Sequence, residues 1–409
     1  MREIWELQQM QSLPLSAKIQ MTRSRVKKWI DTFGEDKVYI SFSGGKDSTV
    51  LLDLVRNEFG YKDIKAMFVD VPTQYPELRQ FVKTFDNVDI VQPKINFFQV
   101  CEKYGFPLFS KEISECVQGA RKYLTSILNE QESLTDRQTD RQTDRQTDSI
   151  KNAYAFADFI GLDRRGSQKN SQAYQNLKKG VIPSELIGNM PVRVQAMFGK
   201  VPHKEKGKLT DEYSKRYDKS QYLFMLDAPF EISNQCCKVM KKAPIKKYAK
   251  ETGRVPITAQ MAEESMLRTA AWLKNGCNAF NSKDPISNPM SFWTEQDVLR
   301  YIKERNLPIC SVYGDVVSDD EEMGQLQLSD YGYTDFDRGP QPLHCTGCQR
   351  TGCVLCGFGA HINGDDRFVK LRESHPKMYA LLDKATNSGY TMRQAIDWIS
   401  EHSNKVIKY

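Results

Sequence analysis

Nowhere in the 409 residues does an apolar run approach the ~18 residues that a membrane-spanning helix needs. The first residues, Met1-Arg2-Glu3-Ile4-Trp5-Glu6, are charged from the second position and lead into no apolar stretch, which argues against a secretory signal. Charge of one sign is scarce too. Against 58 basic side chains stand 52 acidic ones, and the formal net charge of +6 is too mild to demand nucleic acid as a partner. These absences give the expectation of a cytoplasmic protein with no membrane partner. In that setting ten cysteines read as thiols or metal ligands and not as a disulfide framework. A composition 40% hydrophobic and 11% aromatic is ordinary for a chain that buries a core, and the length allows one large domain plus a smaller one, or two of moderate size.

Ile19, Val26, Ile30 and Phe33 fall at helical spacing and predict an amphipathic helix over about residues 15–33, closed by Gly34. Residues 37–42, rich in β-branched and aromatic side chains, read as a short buried strand. Gly44-Gly45 makes a turn and residues 49–56 a helix. A second strand is expected at 64–70, a helix from Pro76, and a third strand at 88–91. Strands alternating with helices at this rhythm predict an α/β fold: a parallel sheet covered by helices on both faces, with right-handed crossovers.

Residues about 111–220 break the rhythm as a polar, helix-prone insertion. Within it Thr-Asp-Arg-Gln occurs three times from Thr135. A period of four without an apolar residue buries no face, so this part is a solvated helix or disordered, and no chemistry is assigned to it. The α/β pattern resumes near Tyr222–Leu226 and runs to about Pro308. An acidic, loop-like stretch from about Gly314 to Pro342 leads into a cysteine cluster. Helices end the chain, one starting at Pro376 and one capped by Thr391. A lysine-rich stretch (Lys238, Lys241, Lys242, Lys246, Lys247, Lys250) reads as the solvated face of a helix, with a tRNA or DNA partner as the alternative.

The strand-turn-helix around Ser41-Phe42-Ser43-Gly44-Gly45-Lys46-Asp47-Ser48 is a phosphate site for physical reasons. Glycines let the backbone bring several N–H groups to an anion, and the following helix adds its positive end. Ser43 and Ser48 offer hydroxyls and Lys46 a charge. Asp47 is out of place beside a phosphate unless it holds the loop or helps bind Mg²⁺. Adjacent glycines exclude the Gly-x-x-x-x-Gly-Lys-Ser/Thr loop. A plain Gly-Gly turn capped by Asp47 or Ser48 is the bland alternative, disfavoured by the strand before and the helix after.

Here the sequence resembles a known family. Ser-Gly-Gly-Lys-Asp-Ser after a strand looks like the pyrophosphate loop of the adenine-nucleotide α-hydrolase (ATP-pyrophosphatase, PP-loop) superfamily, and within it the phosphoadenosine phosphosulfate (PAPS) reductase family. Four stretches agree in order: Phe68-Val69-Asp70 with Tyr75-Pro76-Glu77; Cys236-Cys237 with Lys238 and Lys241-Lys242-Ala243-Pro244-Ile245; Met261-Ala262-Glu263-Glu264-Ser265 with Arg268; and Pro289-Met290-Ser291-Phe292-Trp293-Thr294. The resemblance implies a doubly wound sheet whose carboxyl edge holds ATP or PAPS. Ser41, Ser43, Gly44, Gly45, Lys46, Asp47 and Ser48 would cradle the phosphates, with Asp70 nearby at the end of the second strand. Lys46, Asp47 and Arg268 would act on the reacting end, Arg268 through its forked donors. The bland alternatives are a helix cap for Asp70 and a salt bridge to Glu264 for Arg268. The expected division is an N-terminal helical segment (1–34), a PAPS reductase-like nucleotide-binding domain (35–310, with the insertion) and a small Cys-rich module with C-terminal helices (311–409).

Cys345, Cys348, Cys353 and Cys356 form two Cys-x-x-Cys pairs four residues apart among Gly347, Gly352, Gly357 and Gly359, a setting suited to metal ligation. The gap is short for a zinc ribbon, whose pairs lie roughly 15–20 residues apart. Adjacent Cys236-Cys237 resembles the pair that helps hold a four-iron four-sulfur cluster in the adenylyl-sulfate branch of the family. The resemblance therefore implies such a cluster on four of these six cysteines, with zinc as the alternative and His344 and His361 as reserve ligands. Cys101, Cys116, Cys277 and Cys310 read as packing residues.

The function expected is nucleotide-linked sulfur chemistry. In one version ATP adenylates an acceptor that then takes sulfur, with a sulfur-donor protein as partner. In the other an adenylyl-sulfate compound is reduced. The family's Glu-Cys-Gly-Leu-His motif is absent from Ser403–Tyr409, which favours the first version, while the ordered likeness favours the second. A non-catalytic nucleotide- and cluster-binding regulator contacting DNA or protein is the alternative from another class.

Overall fold

The computed structural model describes residues 2–135, 190–205, 208–318 and 341–409. The Thr-Asp-Arg-Gln repeat beyond Thr135 and most of the acidic stretch before the cysteines lie outside the described residues. The chain divides into two compact units: Met1–Lys94 with Met240–Val354, and Ile95–Val239 with Leu355–Tyr409. Among the described residues no helix is long and apolar enough to cross a membrane.

The first unit is built on a six-stranded sheet: β1 (Val38–Ser41), β2 (Ala66–Val69), β3 (Val88–Val91), β4 (Val255–Ile257), β5 (Asn278–Ala279) and β6 (Ile286–Ser287). Their spatial order is β3-β2-β1-β4-β6-β5, parallel throughout except for β5 against β6. The strands β1, β2 and β3 step outward one way and β4 lies on the other side of β1, so the winding reverses between β1 and β4. At such a switch point the chain leaves neighbouring carboxyl ends in opposite directions and opens a crevice for ligands.

Side chains alternate across a strand. Tyr39 and Met67 join Tyr248 of the helix Ala243–Thr252 in one buried cluster; Ile40, on the opposite face of β1, is fully buried as well. The helix Leu15–Phe33 matches its predicted range, with Gly34 at φ +90° donating its N–H to the Ile30 carbonyl. It buries Val26, Trp29 and Ile30 and packs on β6, each such side chain contributing about 1.5–3 kcal/mol. Inside this layer Lys18 Nζ lies 2.6 Å from Asp297 Oδ2, and the Trp293 indole donates to Thr22 Oγ1 at 2.9 Å.

In the second unit the helix Lys111–Thr135 buries Ile113, Cys116, Val117 and Ala120, and Leu108–Phe109 pairs in parallel with Gly357–Phe358. The segment read as a helix-prone insertion also contains an antiparallel strand pair, Pro202–Glu205 with Lys208–Tyr213. Tyr222–Leu226 does not resume the sheet pattern: it lies in a 3₁₀ turn, Ser220–Asp227, where Phe224 stacks on Trp398 and Arg121 ties down the carbonyls of Met225 and Ala228. The parallel sheet resumes at Val255. The helix Met392–His402 starts as expected, Thr391 accepting from the Gln394 N–H at 3.0 Å. Cys101, Cys116, Cys277 and Cys310 are all buried.

Candidate functional site

A cavity of about 410 Å³ opens at the carboxyl ends of β1 and β4, lined by Ser43, Gly45, Lys46 and Asp47 from the first and Met261, Glu263 and Glu264 from the second. Ser41 ends β1, half-buried, and the backbone turns at Ser43-Gly44-Gly45 into the helix Lys46–Asp53. Gly44 has φ +73°, and a Cβ there would lie 2.7 Å from Val82 Cγ2, so glycine alone fits. Gly45, at an ordinary φ of −77°, is the helix N-cap and has no side chain to cap with. The first-turn N–H groups are therefore left to other partners.

Hydroxyls hold the loop. Ser48 Oγ accepts from the Ser43 N–H at 3.1 Å, meets Ser43 Oγ at 2.9 Å and donates to the Gly45 carbonyl at 2.9 Å. The Lys46 N–H donates to Tyr313 Oη at 3.2 Å, and that oxygen lies 2.7 Å from Thr351 Oγ1. The Lys46 side chain is only 6% exposed. Its Nζ sits 3.0 Å from Glu295 Oε1 and donates to the Gln349 carbonyl at 3.1 Å. Burial works to lower its pKa, but Asp47 and Glu295 outweigh it and the ammonium is held above its ordinary value. Burial pushes the Asp47 carboxyl up despite Lys46 nearby, and its Oδ1 has no hydrogen-bond partner.

Arg268 forms the ion pair with Glu264 that the bland reading anticipated. It also lies within electrostatic reach of Asp47, and its pKa is lowered by burial. The Ser265 side chain starts its helix by accepting from the Arg268 N–H. Asp70 does not line the cavity. It is clamped by both Nε and Nη2 of Arg79, whose hydrogen bonds hold its carboxyl below the ordinary value.

The sequence reading missed Glu295, Tyr313, Arg350 and Thr351. Glu295 follows the Trp293-Thr294 pair noted above, and Arg350-Thr351 sits between the two Cys-x-x-Cys pairs. Their nearness to the phosphate loop arises only in the folded chain.

Cys345, Cys348 and Cys353 belong to the first unit and Cys236, Cys237 and Cys356 to the second. Cys345 is buried at the end of the strand Leu343–Cys345, which pairs antiparallel with Val316–Ser318. Cys348 Sγ lies 3.5 Å from Tyr75 Oη. Cys236 is buried in the short helix Gln235–Cys237. Among the described residues no three His, Cys, Asp or Glu side chains gather as a metal-holding group, so the expected cluster finds no assembled ligand set here. His344 lies in the Leu343–Cys345 strand. His361 packs against Phe109, and its Nδ1 has no hydrogen-bond partner. Lys246 pairs with Asp284 and Lys247 with Glu251, all four well exposed, as expected of a solvated helix face.

A solved structure titled phosphoadenylyl-sulfate (PAPS) reductase from Candida auris, phosphate complex, is similar over 81% of this chain and 90% of that one, at 12% identity and a TM-score of 0.31. The family profile described as phosphoadenosine phosphosulfate reductase domain matches residues 37–154 and 200–357, more than half of the sequence. This chain belongs to the phosphoadenosine phosphosulfate reductase family.

Proposed function

We propose that the protein is an enzyme that binds an adenine nucleotide, ATP or an adenylyl-sulfate compound such as PAPS, and works on its phosphate or phosphosulfate end. One observation carries the reading. At the switch point of the sheet, Ser43, the N-cap Gly45, the buried Lys46 and the exposed Arg350 line one cavity, beside the positive-φ Gly44 and with Arg268 within electrostatic reach of Asp47.

In this reading the first-turn N–H groups and Lys46 receive the phosphates, and a phosphate oxygen replaces the Glu295 carboxylate on Nζ. Charge-assisted hydrogen bonds of this kind are about twice as strong as neutral ones. Arg268 serves the oxygens on which charge develops as the bond breaks. Asp47, Glu263, Glu264 and Glu295 line the same cavity but, among the described residues, do not gather as a metal-holding group, so a magnesium ion would enter on the phosphates and keep most of its water shell. The ion would neutralise phosphate charge.

Family membership favours reduction of an adenylyl-sulfate compound, and the carboxylates favour a magnesium-bound triphosphate. Incubating the protein with PAPS and a dithiol, or with magnesium ATP, separates the two. Sulfite with adenosine 3′,5′-bisphosphate marks the first reaction, and pyrophosphate with AMP, water standing in for the acceptor, marks the second. Tight binding with neither product returns the protein to a non-catalytic nucleotide sensor. A four-iron four-sulfur cluster on four of the six cysteines stays part of the proposal, tested by metal and sulfide analysis. No step above runs through it.

A further inference from the structure

We infer that Arg350, carried on the loop between the two Cys-x-x-Cys pairs, is an anion-binding residue of the nucleotide cavity, and that this loop and the phosphate loop are thermodynamically linked. The inference rests on the nucleotide reading above.

Arg350 and Thr351 line the same cavity as Ser43, Gly45 and Lys46. The Arg350 guanidinium is within electrostatic reach of Asp47 and Arg268. Among the described residues it takes part in no ion pair or hydrogen bond. Lys46, the other cation lining the cavity, is already engaged by Glu295, and Arg268 nearby by Glu264. An unpaired guanidinium facing a cavity beside a phosphate loop offers two parallel N–H donors to a phosphate or sulfate group, a geometry that lysine cannot supply.

The loop is joined to the phosphate loop directly through Gln349 and indirectly through Tyr313. The Gln349 carbonyl accepts from Lys46 Nζ, and the Gln349 amide donates back to the Cys345 carbonyl at 2.8 Å. The Cys348 N–H donates to the Val312 carbonyl at 2.8 Å and the Gly347 N–H to the Tyr313 carbonyl at 2.9 Å. Tyr313 Oη accepts the Lys46 N–H and meets Thr351 Oγ1. A Cβ at Gly347 would lie 2.5 Å from the Val312 carbonyl oxygen, so the turn sits against Val312-Tyr313 without slack. Metal ligation, oxidation or alkylation within Cys345-Thr346-Gly347-Cys348 therefore shifts the Gln349 carbonyl and Arg350 together. Nucleotide that engages Arg350 must in turn change the affinity of these cysteines for a bound metal ion by the same factor, and the alkylation of Cys348 reads whether the loop responds.

The experiment titrates adenosine 3′,5′-bisphosphate and magnesium ATP calorimetrically into the wild type, R350A, R350K and K46A. It also follows alkylation of Cys348, the half-buried thiol of the pair, by mass spectrometry with and without nucleotide. Arg350 is exposed, so R350A keeps the wild-type melting curve. The expected result is a loss of roughly 10–100-fold in affinity for R350A, as for a charge-assisted hydrogen bond removed, partial recovery in R350K, and nucleotide protection of Cys348 that shrinks in R350A. If K46A loses binding while R350A stays within about twofold of wild type, the role of Arg350 is overturned and the nucleotide reading stands. If saturating nucleotide leaves Cys348 alkylation unchanged in the wild type, the linkage is overturned. If the wild type binds neither nucleotide, both readings fall.

Discussion

Replacing Gly44 by alanine tests the phosphate loop through its backbone. At φ +73° an L-residue is strained by about 1–2 kcal/mol. The added methyl would lie 2.7 Å from Val82 Cγ2 and 3.1 Å from Leu78 Cγ and Cδ2, and both side chains are fully buried. Neither can swing into solvent, so overpacking adds about 1–3 kcal/mol. The total of about 2–5 kcal/mol should appear as a lower denaturation midpoint, followed by intrinsic fluorescence, together with lost nucleotide binding. Gly45→Ala is the matched control. Its φ is −77°, and the new methyl meets Tyr313 Oη at 3.1 Å, Ser43 Oγ at 3.3 Å and Thr351 Oγ1 at 3.5 Å, on the cavity side. As an N-cap exchange it should cost less than about 1 kcal/mol of stability and still weaken nucleotide binding. A Gly44→Ala protein within about 0.5 kcal/mol of wild type would refute the assignment of strain and contact to this loop.

Other outcomes follow from the same structure. Lys18→Met leaves the Asp297 carboxylate buried without its cation and should cost about 3–5 kcal/mol in urea unfolding; Lys18→Met with Asp297→Asn should recover part of it. The folded-state pKa of Asp70 is depressed by Arg79, so its contribution is complete above the unfolded value and is lost as the pH falls through the folded one. The wild type should therefore lose stability in acid more steeply than Asp70→Asn, and parallel acid-unfolding curves would contradict that pairing. Iron, zinc and acid-labile sulfide measured on protein purified without oxygen should give about four irons and four sulfides. One zinc without sulfide removes the cluster from the account.

Much of the first unit was legible because local signals agreed. Ile19, Val26 and Ile30 mark one face of the helix that Gly34 ends, and Val88–Val91 is a strand between turn residues. The phosphate loop was legible because glycines and hydroxyls need no distant partner to declare themselves. Strand β4 was hidden by Pro256, which lacks an N–H yet pairs with Tyr39 in the middle of the sheet. The apolar run at Tyr222–Leu226 misled because an apolar stretch without periodicity fits a strand or a packed turn equally, and its packing on Trp398 lies far along the chain. Tyr313 and Gln349 reach Lys46 across 267 and 303 positions. No spacing rule spans such a separation, so the wall that the cysteine loop gives the cavity could not be read in advance.

The measurement closest to the central claim is the affinity of the wild type and Lys46→Ala for PAPS, adenosine 3′,5′-bisphosphate and magnesium ATP by titration calorimetry. Loss of the buried ammonium should weaken at least one of these by roughly 10–100-fold while leaving the fold intact by circular dichroism. Equal affinity in the two proteins, or no binding by the wild type, would contradict the claim that the Ser43–Ser48 loop receives the phosphates.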